Sequence, residues 1–178
     1  MRQLGSTSVR AVEPGDLEFT RRWRNDPQVT TGTLGRRFPI TPNDEEAWFR
    51  SLSNGGRFPE SVPWIITANG AICGLGQLNE IDWIHRTAWF GVWIAPAHWG
   101  GGHGDRATRL VVHHGLVDLG LRQVRLRVLP SNERAITVYR KVGFVDEGVQ
   151  SGAVLVDGVA TDVRVMRIDQ AALPVVDA

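Results

Sequence analysis

Apolar segments bounded by turn signals, one of them strictly alternating with polar residues, predict the strands of this chain. Residues 123–129 alternate valine or leucine with arginine, the period-2 pattern of a strand with one buried face. Apolar segments on either side of Asn69-Gly70, and again around Asp157-Gly158, indicate two hairpins, because Asn-Gly and Asp-Gly favour tight two-residue turns. Strands are therefore predicted at 8–12, 62–68, 71–77, 88–95, 123–129, 144–156 and 160–168.

Apolar residues at helical spacing, together with capping and breaking residues, predict four helices. The clearest apolar stripe lies in residues 104–119 and comprises Ala107, Leu110, Val111, His114 and Val117. Asp16 is placed to cap the first helix, and Asp26-Pro27 is interpreted as its end. The predicted helices are 14–25, 43–52, 104–119 and 132–142, with a loop over 28–41. This mixed order of strands and helices predicts an α/β fold of the α+β, mixed-sheet kind, in a single domain over residues 1–178.

Composition and charge narrow the function classes. The chain has 178 residues with 20 Lys plus Arg and 19 Asp plus Glu, so its net charge of +1 argues against binding nucleic acid or a membrane surface by bulk charge. Neither a signal peptide nor an apolar run of membrane-spanning length is visible, so we expect a cytoplasmic protein. The single cysteine, Cys73, excludes an internal disulfide and thiolate zinc clusters, and the histidine spacing fits no metal-binding motif, so no metal is expected.

A glycine-rich turn between a predicted strand and a predicted helix is the sharpest local feature. Residues 98–107 have the sequence HWGGGHGDRA. Glycine lets the backbone turn tightly and approach a ligand, and the first N–H groups of the following helix point outward at its positive end. The turn is therefore a candidate phosphate cradle, with a flexible surface loop as the alternative. The sequence contains neither the GxxxxGK[ST] of a P-loop nor the GxGxxG of a dinucleotide-binding fold.

A second group of residues lies in the next predicted helix and just after it: Asn132, Ala135, Tyr139, Lys141, Gly143 and Phe144. Turn and helix together resemble the GNAT superfamily of acyl-CoA-dependent N-acyltransferases, whose pattern is a WGxGxG-type turn and then N-x-x-A-x-x-x-Y-x-K-x-G-F. Segments 23–27 and 44–49 resemble the RimJ/RimL-like branch. The resemblance covers most of the chain and implies a GNAT-like fold: a central, mostly antiparallel sheet of about seven strands, splayed near the cofactor and flanked by about four helices.

The resemblance further implies an acetyl-CoA-dependent N-acetyltransferase, with acetyl-CoA as acyl donor, CoA as product and no metal. Backbone amides of residues 100–105 are expected to hold the pyrophosphate, and Ile94 with its neighbours to pair with the pantetheine arm. Asp105 stands where many relatives have Ser or Thr, so it must turn away from the phosphates or cap the helix. The residues expected at the cofactor are Trp93, Ile94, Trp99, Gly100, Gly101, Gly102, His103, Gly104, Asp105, Asn132, Ala135, Tyr139 and Lys141.

The same resemblance and acid–base chemistry together suggest the catalytic residues. Tyr139, the single tyrosine, matches the family's general acid, because a phenol with a pKa near ~10 stays protonated at neutral pH and can donate to a departing thiolate. Packing in the core is its alternative role. RimJ/RimL-like enzymes often carry a glutamate near the position of Trp89. The base is therefore expected at Glu80, or else at Asp82 or His85, each of which could equally be an ordinary hairpin-loop charge.

In this fold the first two helices and their loop form much of the acceptor site. The acceptor-binding residues suggested in this way are Trp23, Arg24, Arg36 and Trp48. No acidic residue lies between positions 28 and 41, and the acids at 44–46 suit the start of a helix. The sequence therefore shows no acidic pocket for a strongly polycationic acceptor.

Three functions remain open at this point. The main expectation is acetyl transfer by direct attack of a peptide or protein N-terminal amine in a ternary complex. The first alternative is a small-molecule amine as acceptor, such as an amino sugar, an amino acid or an antibiotic. The second is an acyl-CoA-binding module with weak or lost catalysis. No nucleic-acid or membrane partner is expected, and a homodimer stays open.

Overall fold

Eight strands form one mixed sheet in this computed structural model, which describes residues 2–31, 34, 38–52 and 56–172. In chain order the strands are β1 (Arg2–Leu4), β2 (Thr7–Arg10), β3 (Val62–Ala68), β4 (Ala71–Asp82), β5 (Thr87–Ile94), β6 (Gln123–Val128), β7 (Val145–Val156) and β8 (Val159–Asp169). Their order across the sheet is β1-β2-β3-β4-β5-β6-β8-β7; β5 and β6 run parallel, and the other pairs are antiparallel. The predicted mixed, mostly antiparallel sheet is confirmed. It has one more strand than expected because β1, three residues long, is too short to show a period of two.

Five α-helices lie within the described residues: α1 (Leu17–Arg24), α2 (Pro27–Thr31), α3 (Pro42–Leu52), α4 (His103–His113) and α5 (Glu133–Val142). The loop predicted over 28–41 was wrong at α2. Asp26-Pro27 begins this helix, since the Asp26 carbonyl accepts bonds from Val29 N and Thr30 N and its carboxylate accepts one from Gln28 N. None of the helices in the described ranges is long and apolar enough to cross a membrane.

The start of α1 also differs from the prediction. Asp16 makes no side-chain capping bond to α1; its carboxylate accepts two bonds of 2.7 Å from the Arg10 guanidinium and one of 2.7 Å from Glu13 N. Burial opposes ionisation of this carboxyl, but the hydrogen bonds and the Arg10 charge outweigh it, so the pKa of Asp16 is lowered. The ion pair therefore ties the start of α1 to the end of β2.

The helix after the glycine turn is shorter than predicted. α4 ends at His113, and a single π turn over His114–Asp118 follows it. A π turn holds an extra residue, so the apolar stripe changes register: Leu116 is fully buried, whereas Val117, predicted to face the core, is 50% exposed. The earlier stripe residues Ala107, Leu110 and Val111 are buried as predicted.

Helices cover both faces of the sheet around β5. The ring of Phe90 packs against Tyr139 of α5, whereas the ring of Trp93 packs against Trp23 of α1. Side chains an odd number of positions apart on a strand point to opposite faces. α5 therefore lies on one face of β5 and α1 on the other.

Strands β5 and β6 separate after a short stretch of pairing. Residues 87–89 pair with 123–125, and within these two described strands no pairing continues beyond Trp89. β5 stays with β4 as far as Ile94 while β6 stays with β8, so the sheet opens between them. This opening is the splay that the resemblance implied.

A bulge in β4 lies beside that opening. The pairing of β4 with β5 shifts register between Asn79 and Asp82, and Glu80 has a left-handed backbone with φ of 48°. Such a backbone is uncommon for a residue other than glycine, and it occurs preferentially at functional sites. Because Asn79 pairs with Trp89, the bulge is next to the last residue before the strands part.

Candidate active site

A cleft of about 1510 Å³ occupies the opening between β5 and β6. It extends from the glycine turn and α5 to α1 and the β4 bulge. Every predicted cofactor residue lines it except Gly101, whose open side is covered by the His103 ring: a Cβ on Gly101 would lie 2.7 Å from His103 Nε2. One cleft therefore brings the predicted cofactor residues together with part of the predicted acceptor site.

Two glycines give the turn its shape. Gly100 and Gly102 have φ of 85° and 73°, a left-handed conformation that strains any residue with a side chain. Gly102 is the N-cap of α4, and the N–H groups of the first helical turn have no partners within the helix. The turn and the helix end therefore present backbone donors and a positive dipole to the cleft, as a phosphate cradle requires.

A buried hydroxyl holds this turn against the sheet. Thr7 Oγ1, on β2, accepts a 2.8 Å bond from Arg106 Nε and lies 2.8 Å from His103 Nδ1. Arg106 also donates to the Gly101 carbonyl at 2.5 Å. Burial, and then the charges of Arg106 and His98, lower the pKa of His103, so its imidazole is neutral at neutral pH and Nδ1 can accept the Thr7 proton. The network fixes the glycine turn before any ligand arrives.

Asp105 lines the cleft, and its carboxylate is engaged within α4. Its carboxylate pairs with Arg109 at 3.0 Å, one helical turn along α4. Arg109 also donates to the carbonyl of Lys141 at 2.8 Å, which links α4 to α5. The negative charge beside the cradle is therefore balanced within α4.

The end of β5 offers backbone groups to the cleft. Ala95 N donates to Cys73 O at 2.8 Å across the β4–β5 ladder, so the alternation of that ladder turns the N–H and C=O of Val92 and Ile94 toward the opening. The Trp99 indole donates to the Ile94 carbonyl at 2.7 Å. Trp99 therefore occupies one of the acceptors expected to meet the pantetheine arm, and Val92 becomes the better backbone partner for it.

Tyr139 lies at the floor of the cleft. Its ring is 6.3 Å from that of Phe90 and 5.8 Å from that of Phe144, and the residue is 8% exposed. Burial raises the pKa of Tyr139 to about 12, so the hydroxyl keeps its proton throughout the neutral range. In the described part of the chain no group forms a hydrogen bond with this hydroxyl, which leaves its proton for a ligand. Asn132 caps α5, as predicted, by accepting a 3.2 Å bond from Ala135 N.

Glu80 lines the cleft opposite β6. Its carboxylate lies 3.7 Å from Arg127 Nη1, too far for a hydrogen bond, and its side chain is 65% exposed. The Arg127 guanidinium is 3.7 Å from the centre of the Trp89 ring. The resemblance placed a glutamate near the position of Trp89, which has no carboxylate. The β4 bulge instead brings the carboxylate of Glu80 close to that position.

Asp82, the second candidate base, lies outside the cleft wall. Its carboxylate accepts bonds of 2.7 Å from His85 N and 2.9 Å from Ile84 N. These bonds, that from His85 above all, lower the pKa of Asp82 and make it a weaker base. Asp82 closes the β4–β5 turn, and His85 lies in the same turn.

Among the predicted acceptor residues, Arg24 lines the cleft. It donates to Glu45 Oε2 at 2.8 Å, and Glu45, 1% exposed, also accepts a 2.6 Å bond from Thr20. Trp48 lies under the Arg24 guanidinium, 5.2 Å from it, and Trp23 contacts Trp93 at 5.3 Å. These two tryptophans pack against residues that line the cleft but do not line it themselves. Arg36 lies outside the described residues.

Cys73 does not line this cleft. Cys73 is fully buried in β4, and burial raises the pKa of its thiol to about 11, so it is not a nucleophile that could carry an acyl group. No group of three or more His, Cys, Asp and Glu suited to a metal occurs among the residues that the structure describes.

Comparison with known proteins decides the family. Residues 8–145 match the family described as acetyltransferase (GNAT) domain. The spermidine N(1)-acetyltransferase of Escherichia coli is 36% identical over 143 residues, 80% of this chain and 75% of that protein. The chain belongs to the GNAT acetyltransferase family. It is an acetyl-CoA-dependent N-acetyltransferase, as the sequence led us to expect.

A solved relative supports the fold and the acyl donor of this GNAT acetyltransferase. The crystal structure of spermidine N-acetyltransferase from Vibrio cholerae in complex with CoA and spermine matches with a TM-score of 0.88 at 25% identity, over 95% of this chain and 98% of that one. A putative ribosomal N-acetyltransferase of Bacillus subtilis is 30% identical, but over 53% of this chain. The predicted GNAT fold is confirmed, whereas the comparisons that span most of the chain do not favour the RimJ/RimL-like branch.

Four residues around the site were missed in the sequence. Thr7 and Arg106 brace the glycine turn, Glu45 neutralises Arg24, and Arg127 stacks on Trp89. Arg106 lies within the 98–107 motif, two residues after its last glycine, and that position was a usable signal. The other three act across separate elements, and no local pattern reveals such contacts.

Proposed function

We propose that this GNAT acetyltransferase transfers the acetyl group of acetyl-CoA to a small molecule with a primary amine, by direct attack in a ternary complex. Two relatives named spermidine N(1)-acetyltransferase, from Vibrio cholerae and Escherichia coli, align over 92% and 80% of the chain, which favours a small amine as acceptor over a peptide N-terminus. The observation that carries the proposal is the Tyr139 hydroxyl, a protonated donor at the floor of a cleft that extends to both the cradle and α1.

Binding of the donor rests on backbone amides and positive charge. The glycine turn and the first turn of α4 supply N–H groups, and Arg106, Arg134 and Lys141 line the same end of the cleft. Anionic phosphates are favoured at such a helix start. When bound, acetyl-CoA supplies an activated acetyl thioester. The backbone of Val92, turned toward the opening, can pair with the amide groups of the arm.

Two groups handle the protons. The attacking amine must be neutral, and Glu80 accepts a proton from its ammonium form, directly or through water. Tyr139 donates its phenolic proton to the departing thiolate. Because burial raises the pKa of Tyr139, its hydroxyl remains protonated before this step. The two residues lie on different elements lining one cleft, so acid and base can act on one bound pair.

Steady-state release of free thiol from acetyl-CoA tests the proposal. We expect turnover with at least one small primary amine from a panel of spermidine, amino sugars and amino acids, and little with peptides that offer an N-terminal amine. Preference for the peptides would contradict the proposed acceptor class. Tight CoA binding without turnover of any amine would instead favour an acyl-CoA-binding module and overturn the proposal.

A further inference from the structure

Arg127 holds a distinctive place in the cleft. It lies on β6, two residues after Arg125, which pairs with Trp89 at the last position before β5 and β6 separate. Its guanidinium stacks 3.7 Å from the centre of the Trp89 ring, and its nearest charged neighbour, Glu80, is 3.7 Å away. Within the described residues this guanidinium forms no hydrogen bond. Stacking therefore fixes the plane of the group while its N–H donors remain available to a ligand.

Three other arginines that line the cleft already donate hydrogen bonds within the protein. Arg24 donates to Glu45, Arg106 to the Gly101 carbonyl and Thr7, and Arg109 to Asp105 and the Lys141 carbonyl. Glu45 is buried, so the charge of Arg24 is balanced from behind the wall. At the acceptor end, Arg127 is thus the arginine whose N–H groups donate no hydrogen bond to any described residue.

The charge at this end does not suit a polycation. Glu80 is the one carboxylate of the described residues that lines the acceptor half, and it faces Arg127. The described arginines of this half are Arg24, whose charge Glu45 balances, and Arg127. An amine with several positive charges would find one carboxylate there, already beside an arginine, and such a mismatch of charge costs affinity and slows association.

We propose that the acceptor carries a carboxylate as well as its primary amine, and that Arg127 binds this carboxylate. The planar guanidinium matches a carboxylate with two parallel N–H donors, and Glu80 beside it faces the ammonium end of the same small molecule. The acceptor class is therefore the free amino acids. This inference rests on the proposed function, since it names the substrate of the same site.

The test uses substrates that differ in one charge. The common α-amino acids and their carboxamides, together with spermidine, are assayed by thiol release from acetyl-CoA. We expect one amino acid to exceed its own carboxamide in kcat/KM by at least about tenfold, because a charged hydrogen-bond pair contributes roughly that factor. Arg127→Gln should lower kcat/KM for that amino acid about 10- to 100-fold and change the carboxamide by less than about threefold.

Arg125→Gln is the matched control. Arg125 lies on the same strand, forks onto Glu147 at 3.1 Å and does not line the cleft, so its loss removes the same charge without touching the site. The ratio of amino acid to carboxamide should be unchanged in this variant. Arg127→Lys, which keeps the charge and loses the fork, should fall between the wild type and Arg127→Gln.

The outcomes separate the two proposals. Preference for spermidine over every amino acid, or an equal loss on amino acid and carboxamide in Arg127→Gln, would overturn the role of Arg127 and leave the acetyltransferase proposal standing. Absence of turnover with every amine, with CoA still bound, would overturn both. An unchanged melting temperature in Arg127→Gln shows that the loss does not come from unfolding.

Discussion

The two ends of the cleft are built in different ways. The cofactor end consists of consecutive residues, a glycine turn and the helix it begins, with α5 beside it, and it offers backbone donors and positive side chains. The acceptor end is assembled from α1, the bulge in β4, β5 and β6, and it offers separate side chains held by ion pairs and aromatic rings. In the proposed function the first end binds the acyl donor through its main chain, and the second contacts the acceptor through individual side chains.

The largest expected effect lies where the two ends meet. Tyr139→Phe keeps the ring that packs on Phe90 and Phe144 and removes the hydroxyl that has no partner among the described residues. We expect kcat to fall about 10²- to 10⁴-fold, the usual contribution of a general acid. CoA affinity, measured by calorimetry, should stay within about threefold.

Thr137→Ala, on the exposed face of the same helix, is the control and should leave kcat unchanged. If Tyr139→Phe turns over at the wild-type rate, the tyrosine serves core packing alone. The proton for the thiolate would then come from water or from another residue.

Glu80→Gln tests the acceptor end. We expect kcat/KM for the amine to fall about 10- to 100-fold at neutral pH, because the acceptor must then lose its proton to solvent. The deficit should shrink as the pH rises toward the amine's own pKa near ~10, where the neutral amine is abundant without a base. A pH profile of kcat/KM for wild type and variant measures this convergence.

Glu147→Gln is the matched control, since Glu147 pairs with Arg125 outside the cleft wall. A deficit in Glu80→Gln that stays constant at every pH would mean that Glu80 positions the acceptor and takes no proton. Equal losses of kcat/KM in the two variants would mean that both act by disturbing β6, whose arginines the two glutamates face.

The contrast between the two ends also explains what the sequence could predict. At the cofactor end the sequence singled out residues that line one cleft, because turn, helix cap and tyrosine lie in two continuous segments; their contacts with the cofactor stay a prediction. At the acceptor end the sequence singled out Glu80 and Arg24, which line the cleft, but not the contacts that hold them. The bulge that carries Glu80 and the ion pair of Glu45 with Arg24 depend on contacts between distant elements.

The same rule holds for secondary structure. β3 was predicted with its observed bounds, since its apolar run ends at a strong turn signal. α2 was missed because Asp-Pro is compatible with both the end and the start of a helix. The π turn after α4 could not be predicted from helical periodicity, because it changes the spacing of apolar residues only beyond the point where it occurs.

Gly104→Val tests the cofactor end through its backbone. A Cβ at Gly104 would lie 3.8 Å from Ile94 Cγ1, an ordinary contact, so the fold accepts it while the larger side chain enters the cradle. We expect CoA to bind about tenfold more weakly, or worse, from the loss of at least one charged hydrogen bond. Calorimetric titration of CoA gives the measurement.

Gly148→Val is the control, because Gly148 lies on exposed β7 and a Cβ there would meet no atom within 4 Å. Its CoA affinity should equal that of the wild type. Normal CoA binding by Gly104→Val would show that the phosphates lie elsewhere, and the cofactor end would lose its backbone explanation.

The smallest expected effect concerns Asp105, the one acid at the cofactor end of the described cleft. Asp105→Asn removes a negative charge that Arg109 already balances, so we expect CoA to bind at most about threefold more tightly at low salt. This gain should vanish at high salt, where exposed charges are screened. Glu133→Gln, in the first turn of α5 and outside the cleft wall, is the control and should show no gain. A loss of CoA affinity in Asp105→Asn would instead show that the Asp105–Arg109 pair holds the helix start in its binding geometry, and side chains would then matter at this end as they do at the other.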